Sequence, residues 1–181
     1  MSCEFTIRPI KPEDAAAFLA LDAQLCLESP FMLRTADEVL STSVECQRAL
    51  ISSMDNGAIW VVEKCGNTTE KHSKMGGLVA YLGLSRGFCG ALYGKVEMAM
   101  GVLELHQRQG IASELLKTAD RWMNENHGVR LELHVHTSNA KALSLYKKHG
   151  FEVDGTLKAY AVSANGFEDF YVMSRLYTCS A

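Results

Sequence analysis

The sequence lacks an apolar run long enough to cross a lipid bilayer. Its longest strongly apolar stretch, residues 78–84, is far shorter than the roughly 20 residues that a membrane helix needs. The sequence also lacks an excess of basic residues, because 18 lysines and arginines are outnumbered by 21 aspartates and glutamates. With this charge balance, neither nucleic acid nor a membrane is expected as a partner.

The six cysteines are scattered along the chain, and no C-x-x-C pair occurs among them. Residues 1–10 carry early charges and a proline where a secretory signal peptide needs an apolar segment. Without an export signal, an even number of cysteines does not indicate disulfides, so we expect reduced thiols that serve packing. The expected compartment is the cytoplasm.

Two common phosphate-binding loops are absent. A P-loop needs a glycine five residues before a Gly-Lys pair and a Ser or Thr after it, but Gly94-Lys95 has Cys89 and Val96 at those places. The Rossmann pattern G-x-G-x-x-G is also missing, since Gln107 stands where its first glycine would be. No internal repeat, low-complexity tract or linker divides the chain, which favours one compact domain.

The stretch from Val102 to Trp122 is the most informative part of the chain. A strand-like segment over residues 96–102 leads into a polar turn, and a helical pattern follows directly. One buried helix face is predicted from apolar residues at helical spacing: Ile111, Leu115, Leu116, Ala119, Trp122 and Met123. First-turn amides have no partner inside a helix, the dipole favours anions, and Gly110 and Ala112 leave the backbone accessible. We therefore predict that residues 107–113, the anion-binding turn, hold a phosphate group.

Periodicity along the whole chain predicts a single mixed α/β sheet in the order β-α-α-β-β-β-α-β-α-β-β. The predicted strands are residues 4–10, 58–64, 75–84, 96–105, 129–136, 151–164 and 167–177. The predicted helices run from 12 to before Pro30, over 43–54, from 111 to about 126 and over 139–149. A hairpin loop is expected over residues 66–74 and a hairpin turn at Asn165-Gly166. Residues 1–181 are expected to form one domain.

Two motifs resemble the GNAT N-acyltransferase superfamily. The first is Q-x-x-G-x-A, which begins at Gln107 between strand and helix and is similar to motif A of that family. The second is N-x-x-A-x-x-L-Y-x-x-x-G-F from Asn139 to Phe151, in the same order and at about the same distance as in the family. The resemblance covers nearly the whole chain. It implies a mostly antiparallel sheet with helices on both faces, and transfer of an acetyl group from acetyl-CoA to a primary amine by direct attack.

The resemblance also implies which residues bind acetyl-CoA. Backbone amides of the anion-binding turn would hold the pyrophosphate, and the Gln107 and Arg108 side chains would add donors nearby. The backbone of Val102 and Leu103 would align the pantetheine arm, with Asn139 and Tyr146 along its far side. Two residues depart from the commonest form of motif A, since Ala112 replaces glycine and Gln107 replaces arginine. The implied cofactor-binding residues are Val102, Leu103, Gln107, Arg108, Gln109, Gly110, Ile111, Ala112, Ser113, Asn139 and Tyr146.

The chemistry of the transfer needs a proton for the leaving thiolate and a route for the proton that the amine loses. Tyr146 is the candidate acid, and the alternative is an aromatic residue that only packs. Glu97 is the candidate base, because a carboxylate within the apolar run 96–100 is costly unless it meets solvent or a cation in a cleft. Glu104 is expected to be solvated. A water chain without a dedicated base is the alternative to Glu97.

His134 and His136 lie on one face of a predicted strand and could begin a metal site. No third ligand with suitable spacing is visible in the sequence. We therefore expect ordinary core or surface histidines, and no metal.

The sequence leaves the acceptor open. A primary amine of a small molecule such as an amino acid is expected; the alternatives are a protein N-terminus, a lysine, or a non-catalytic domain that senses acyl-CoA. Residues 29–33 and 87–94 offer apolar side chains that would suit a hydrophobic amino acid or peptide N-terminus. These residues could instead cover the core or a dimer seam. A homodimer is left open, because the last strands commonly pair across a dimer in this superfamily.

Overall fold

The computed structural model describes residues 5–65, 75–163 and 166–178. Seven strands are present: β1 (Phe5–Pro9), β2 (Gly57–Lys64), β3 (Leu78–Arg86), β4 (Lys95–Val102), β5 (Arg130–His136), β6 (Glu152–Ser163) and β7 (Gly166–Leu176). Five α-helices accompany them: α1 (Ala15–Glu28), α2 (Ala36–Leu40), α3 (Val44–Ser52), α4 (Ile111–Glu125) and α5 (Ala140–Lys148). The loop expected over residues 66–74, and Asn165 of the expected hairpin turn, lie outside the described residues.

The strands form one seven-stranded sheet in the order β1-β2-β3-β4-β5-β7-β6. The pairs β1–β2, β5–β7 and β6–β7 are antiparallel, whereas β4 and β5 run in parallel. The predicted mixed α/β sheet is therefore confirmed. No helix among the described residues is long and apolar enough to span a membrane.

The predicted order of elements contains no helix at the position of α2, and it is wrong there. Thr35 caps its first turn by accepting a hydrogen bond from the Glu38 amide, and the Glu38 carboxylate accepts one from the Thr35 amide. This reciprocal pair is a capping box, and its T-x-x-E spacing is visible in the sequence. The sequence analysis predicts no element over residues 34–38. The structure therefore has three helices, rather than two, between β1 and β2.

The chain folds as two compact units. The first comprises Met1–Gly83 and Met100–Leu115, and the second comprises Leu84–Ala99 and Leu116–Ala181. The boundaries fall within β3, β4 and α4. The expectation of one domain over the whole length stays a prediction.

In the first unit, α1 carries a buried apolar face that includes Leu19 and Ala23, which pack with Val39 of α2. The guanidinium group of Arg8 on β1 fixes the start of this helical segment. Its two terminal nitrogens donate to the two carboxylate oxygens of Asp14 at 2.7 and 2.9 Å. The hydrogen bonds from Arg8 outweigh partial burial and hold the pKa of Asp14 below its usual value.

Asp22 is a buried carboxylate on the same helix, with 7% of its surface exposed. Tyr81 of β3 hydrogen-bonds to it, and the Arg34 guanidinium lies 3.5 Å from its Oδ2. Burial raises the pKa of Asp22 despite these two partners. The ionised form of Asp22 is therefore less favourable in the folded chain than in water.

In the second unit, seven residue pairs join β5 to β7, from Arg130↔Leu176 to His136↔Phe170. Helix α5 follows β5 after a short turn and is capped by Asn139, whose Oδ1 accepts a hydrogen bond from the Ala142 amide at 3.1 Å. Gly150 ends the helix with φ +78, and the Phe151 amide returns to the Tyr146 carbonyl. Both ends of α5 are therefore capped, by a side chain at the start and by a left-handed glycine at the end.

Asp22 and Asp14 should change stability with pH in opposite ways. A raised folded-state pKa means that the folded chain binds the proton more tightly, so ionised Asp22 costs stability above that pKa and the cost disappears in acid. A lowered folded-state pKa means that ionised Asp14 adds stability above its unfolded pKa, and this contribution disappears as the pH falls. We expect Asp22→Asn to raise the free energy of unfolding at pH 7, and Asp14→Asn to lower it.

Urea unfolding of both variants and the wild type at pH 7 and near pH 3 checks this pair. Both differences from the wild type should shrink at the lower pH, where the wild-type carboxyls take up protons. Asparagine keeps an acceptor for the Tyr81 hydroxyl, so the Asp22 variant tests the charge rather than the hydrogen bond. A loss of stability in Asp22→Asn that is the same at both pH values would contradict the assignment.

Candidate functional site

The approach to the anion-binding turn is a short 3-10 helix. Strand β4 ends at Val102, and residues 104–106 turn where the strand was expected to continue to residue 105. The Leu103 amide donates to the Val79 carbonyl at 3.0 Å, and the Gln107 side-chain amide donates to the Val102 carbonyl at 3.2 Å. Gln107 therefore braces the loop with one of its side-chain N–H groups, and its role as a donor to a ligand stays a prediction.

The turn itself holds two residues in the left-handed region of backbone space. Arg108 has φ 60 and Gly110 has φ 84, and such values are uncommon for a residue other than glycine. The Gln109 side chain donates to the Leu105 carbonyl at 3.1 Å and braces the same loop. A Cβ placed on Gly110 would meet no described atom within 4 Å. The backbone at Gly110 is thus open on the side where a side chain would stand.

Helix α4 begins at Ile111, directly after Gly110, as predicted. The Glu114 amide donates to the Gly110 carbonyl at 3.1 Å, so helical bonding starts at the glycine. The predicted apolar face is buried at five of its six positions, namely Ile111, Leu115, Leu116, Ala119 and Met123, and half-buried at Trp122. A strand, a glycine turn and a helix N-terminus therefore stand in the order that suits anion binding.

The second predicted group lies on α5 and its cap. Tyr146 is buried, with 9% of its surface exposed, and its ring centroid lies 5.6 Å from that of Phe151. Burial raises the pKa of Tyr146 to about 12, so the phenol keeps its proton at neutral pH. The Tyr146 side chain is therefore mostly covered by its neighbours. Asn139 uses its Oδ1 as the helix cap, which leaves its side-chain NH₂ as the donor for another group.

Glu97 meets both solvent and a cation. Its side chain is 59% exposed and pairs with the Lys95 ammonium at 3.1 Å. Strand β4 alternates, so Val96 and Met98 point inward while Glu97 points outward. Its role as a base stays a prediction.

The two histidines of β5 are engaged differently. His136 has both ring nitrogens occupied, because Nδ1 accepts from the Ser138 amide at 3.1 Å and Nε2 lies against the Glu168 carboxylate. His134 has one close partner, the Tyr160 hydroxyl, 3.1 Å from its Nδ1. Among the described residues, no group of three or more histidines, cysteines or carboxylates is arranged to hold a metal. The contact of His134 with Tyr160 was not anticipated from the sequence.

The apolar segments proposed for the acceptor are each partly accessible. In the first unit, an open groove of about 370 Å³ is lined by Cys26, Leu27, Ser29, Pro30, Met32, Arg34, Thr35, Ala36 and Asp37. Met32 lines it as expected, but Arg34 and Asp37 give it more charge than the sequence suggested. In the second unit, Phe88, Leu92 and Tyr93 are exposed, and Tyr93 lies under the Arg86 guanidinium at 4.2 Å.

Residues 55–153 match the model of a protein family described as an acetyltransferase (GNAT) domain. The matched segment is more than half of the 181 residues and contains the anion-binding turn, Asn139 and Tyr146. The chain belongs to the GNAT acetyltransferase family. The resemblance inferred from the two motifs is confirmed.

Two curated relatives of known activity match a smaller part of the chain. An L-amino acid N-acetyltransferase, AaaT, from Escherichia coli is 38% identical over 74 residues, which are 39% of this chain and 44% of the relative. An N-alpha-acetyltransferase from Saccharolobus solfataricus is 38% identical over 79 residues, or 43% of this chain and 46% of the relative. The chain thus spans less than half the length of the curated relatives that it matches.

Solved structures extend the likeness of the fold to nearly the whole chain. A GNAT-family acetyltransferase from Streptococcus pneumoniae has a TM-score of 0.84 at 24% identity, covering 97% of this chain and 100% of the other. An acetyltransferase from Salmonella typhimurium, solved with its cofactor acetyl-CoA, has a TM-score of 0.81 at 17% identity, covering 99% and 97%. At these identities the likeness shows the fold, which confirms the predicted GNAT-like architecture.

Gly110 provides a direct test of the turn. Replacing it by glutamate should place a carboxylate in the open space beside the backbone. We expect acetyl-CoA affinity to fall by about 100-fold, because like charges about 4 Å apart repel by roughly 1 to 4 kcal/mol near a protein surface. Titration calorimetry with acetyl-CoA measures this change.

Gly166 offers a matched control. It also has positive φ, at +107, and open space around its Cβ position, but it lies at the start of β7. Gly166→Glu therefore carries similar backbone strain and the same added charge, and should leave the affinity within twofold. Equal losses in both variants would attribute the effect to strain and would remove the turn from cofactor binding.

Proposed function

We propose that the protein is an acetyl-CoA-dependent N-acetyltransferase that acetylates the amine of an amino acid or of a peptide N-terminus. The observation that carries the proposal is the anion-binding turn, with Gly110 open on its backbone at the start of α4, inside the segment that matches the GNAT family. The two curated relatives, which act on L-amino acids and on N-alpha amines by their names, favour this acceptor class.

In this proposal, residues of the two family motifs hold acetyl-CoA. The backbone amides of residues 108–113 bind the pyrophosphate, and the loop is braced by Gln107 and Gln109. At the end of β4, the Leu103 amide and the Val102 carbonyl already take part in hydrogen bonds. The pantetheine arm is therefore proposed to use other backbone groups of these two residues. Asn139 offers its side-chain NH₂. Acetyl-CoA supplies the activated acetyl thioester.

Tyr146 is proposed to donate the proton that the leaving thiolate needs. Its support is its place in the second family motif and an environment that keeps the phenol protonated at neutral pH. Glu97, which is exposed and paired with Lys95, stays one candidate base for the proton of the amine. A route through water is the alternative.

Tyr146→Phe tests the acid, because it removes the hydroxyl and keeps the ring that packs on Phe151. We expect turnover to fall by about 10²-fold, the contribution typical of general acid catalysis, while acetyl-CoA affinity stays within twofold. Tyr177→Phe is the control, since that hydroxyl donates to Asp120 at 2.5 Å and removing it should affect stability but not turnover. Turnover of Tyr146→Phe within twofold of the wild type would remove Tyr146 from the mechanism.

The acceptor class can be tested with a panel of amines, following release of the free thiol from acetyl-CoA. The groove beside α1 combines Met32 with the half-exposed guanidinium of Arg34, which suits a hydrophobic amino acid whose α-carboxylate pairs with the cation. We expect kcat/KM for hydrophobic amino acids or peptide N-termini to exceed that for spermidine by at least about tenfold. Preference for polycations would show this acceptor assignment to be wrong.

The same panel separates the two acceptors that the relatives suggest. Free leucine and a leucine-initiated peptide share the amine and the side chain, but only leucine carries its carboxylate beside the amine. If Arg34 binds that carboxylate, Arg34→Gln raises the KM for leucine and leaves the KM for the peptide unchanged. An unchanged KM for both, with the peptide preferred, would favour N-terminal acetylation. If no amine in the panel leads to release of free thiol, although acetyl-CoA binds tightly, the result would instead indicate a sensor.

A further inference from the structure

His134 stands near the end of β5, where the described pairing of β4 with β5 has already stopped. That pairing covers three residue pairs, from Lys95↔Arg130 to Glu97↔Glu132. His134 is two residues beyond the last pair and on the same face of the strand as Glu132. Its side chain is 26% exposed, so the ring is shielded yet reachable. Five residues further on, Asn139 begins the segment proposed to bind acetyl-CoA.

Two contacts of His134 bear on which ring nitrogen carries its proton. Its Nδ1 lies 3.1 Å from the Tyr160 hydroxyl, which is hydrogen-bonding distance. Its Nε2 lies 3.8 Å from the Glu132 carboxylate, which is too far for a hydrogen bond. If Nδ1–H donates to the phenol oxygen, Nε2 keeps a lone pair and can accept a proton. The carboxylate nearby would then stabilise the cation that forms.

An irregularity in β6 brings Tyr160 to this position. The register passes from Leu157↔Phe170 directly to Ala161↔Glu168, so three residues of β6 face one residue of β7. Ala159, in the middle, has φ 50, and its amide donates to Asp169 at 2.9 Å. A left-handed alanine is a strained residue held by its surroundings, and bulges of this kind redirect side chains. The ring of Tyr160 consequently packs against His134 at 5.1 Å between centroids.

The charged and titratable groups around His134 come from three strands. Glu132 is on β5 itself, and its two oxygens are bound by Lys95 of β4 and by Arg130 of β5. From β6 the titratable neighbour is Tyr160. Strand β7 contributes Val172 as the register partner, which carries no charge. An imidazolium at this place would therefore meet one carboxylate that two cations already share.

The other candidate bases are engaged or solvated. His136 has hydrogen-bond partners on both ring nitrogens, so it has no lone pair to offer. Glu97 is exposed and paired with Lys95. His134 has a ring held in place by Tyr160 and one nitrogen to which no described residue makes a hydrogen bond, and a neutral imidazole is a common general base.

We propose that His134 is the base that takes the proton from the acceptor amine, and that Tyr160 is its positioning residue. This inference rests on the proposed N-acetyltransferase function. The ammonium form of the acceptor gives one proton to Nε2 of His134, and the free amine keeps the electron pair that forms the new N–C bond. The C–S bond breaks as the amide forms, and the leaving sulfur takes a proton from Tyr146. The new amide nitrogen releases its second proton, which passes through water to restore the Tyr146 hydroxyl, and His134 later returns its own proton to water.

The first test needs no turnover. In protein labelled with ¹⁵N-histidine, long-range ¹H–¹⁵N spectra distinguish a proton on Nδ1 from one on Nε2, and His134→Gln identifies the signal. We expect neutral His134 to carry its proton on Nδ1, and Tyr160→Phe to shift the tautomer balance toward Nε2–H. A proton on Nε2 in the wild type would overturn the inference.

The second test follows kcat/KM against pH for an amine that the wild type acetylates. His134→Gln should lower kcat/KM by about 10²-fold and remove the fall in rate on the acid side, because a base must be unprotonated to act. Free imidazole should restore part of the rate to His134→Ala. His136→Gln, on the same strand face, should change kcat/KM by less than about fivefold, and acetyl-CoA affinity should stay within twofold in all three variants.

The outcomes separate the inference from the function on which it rests. An active wild type whose rate and pH profile survive in His134→Gln would overturn the base alone, and so would a loss confined to Glu97→Gln. A wild type that binds no acetyl-CoA or acetylates no amine would overturn the proposed function and the base with it.

Discussion

A buried carboxylate fixes the place where β4 and β5 pair. Glu132 has 7% of its surface exposed, and a charge so covered is tolerated only with partners. Lys95 binds one of its oxygens at 2.8 Å and Arg130 binds the other at 2.9 Å. Burial alone would raise the pKa of Glu132, but these two hydrogen-bonded cations hold it below its usual value. The pairing of the strands and the ionisation of Glu132 therefore depend on each other.

The ion-pair cluster of Glu132, Lys95 and Arg130 also determines where the two histidines of β5 lie. Because strand side chains alternate, fixing Glu132 also fixes the face on which His134 and His136 stand. Each histidine is then defined by what the neighbouring strands offer, which is a carboxylate for His136 and a phenol for His134. The difference between a structural histidine and a proposed base is thus made by β6 and β7.

Features that depend on a few consecutive residues could be predicted from the sequence. The anion-binding turn, the buried face of α4 and the caps of α5 are of this kind, because hydrogen bonds within one or two turns determine them. Helix α2 was missed although Thr35 and Glu38 carry its capping signal. The exposure of Glu97 follows from the period of two in β4, which places it outward between Val96 and Met98. The contact of Tyr160 with His134 could not be predicted, since it depends on a bulge and on a left-handed Ala159 held by Asp169.

The segment that matches the family contains the local features and leaves out several of the long-range ones. Residues 55–153 include the turn, His134 and Tyr146, but not the groove beside α1 and not Tyr160. A site that binds the same cofactor can be built from short segments whose backbone does the binding. A site that must select one amine among many needs side chains brought from distant parts of the chain. In the proposed mechanism, a base on the family segment is positioned by Tyr160, a residue outside that segment.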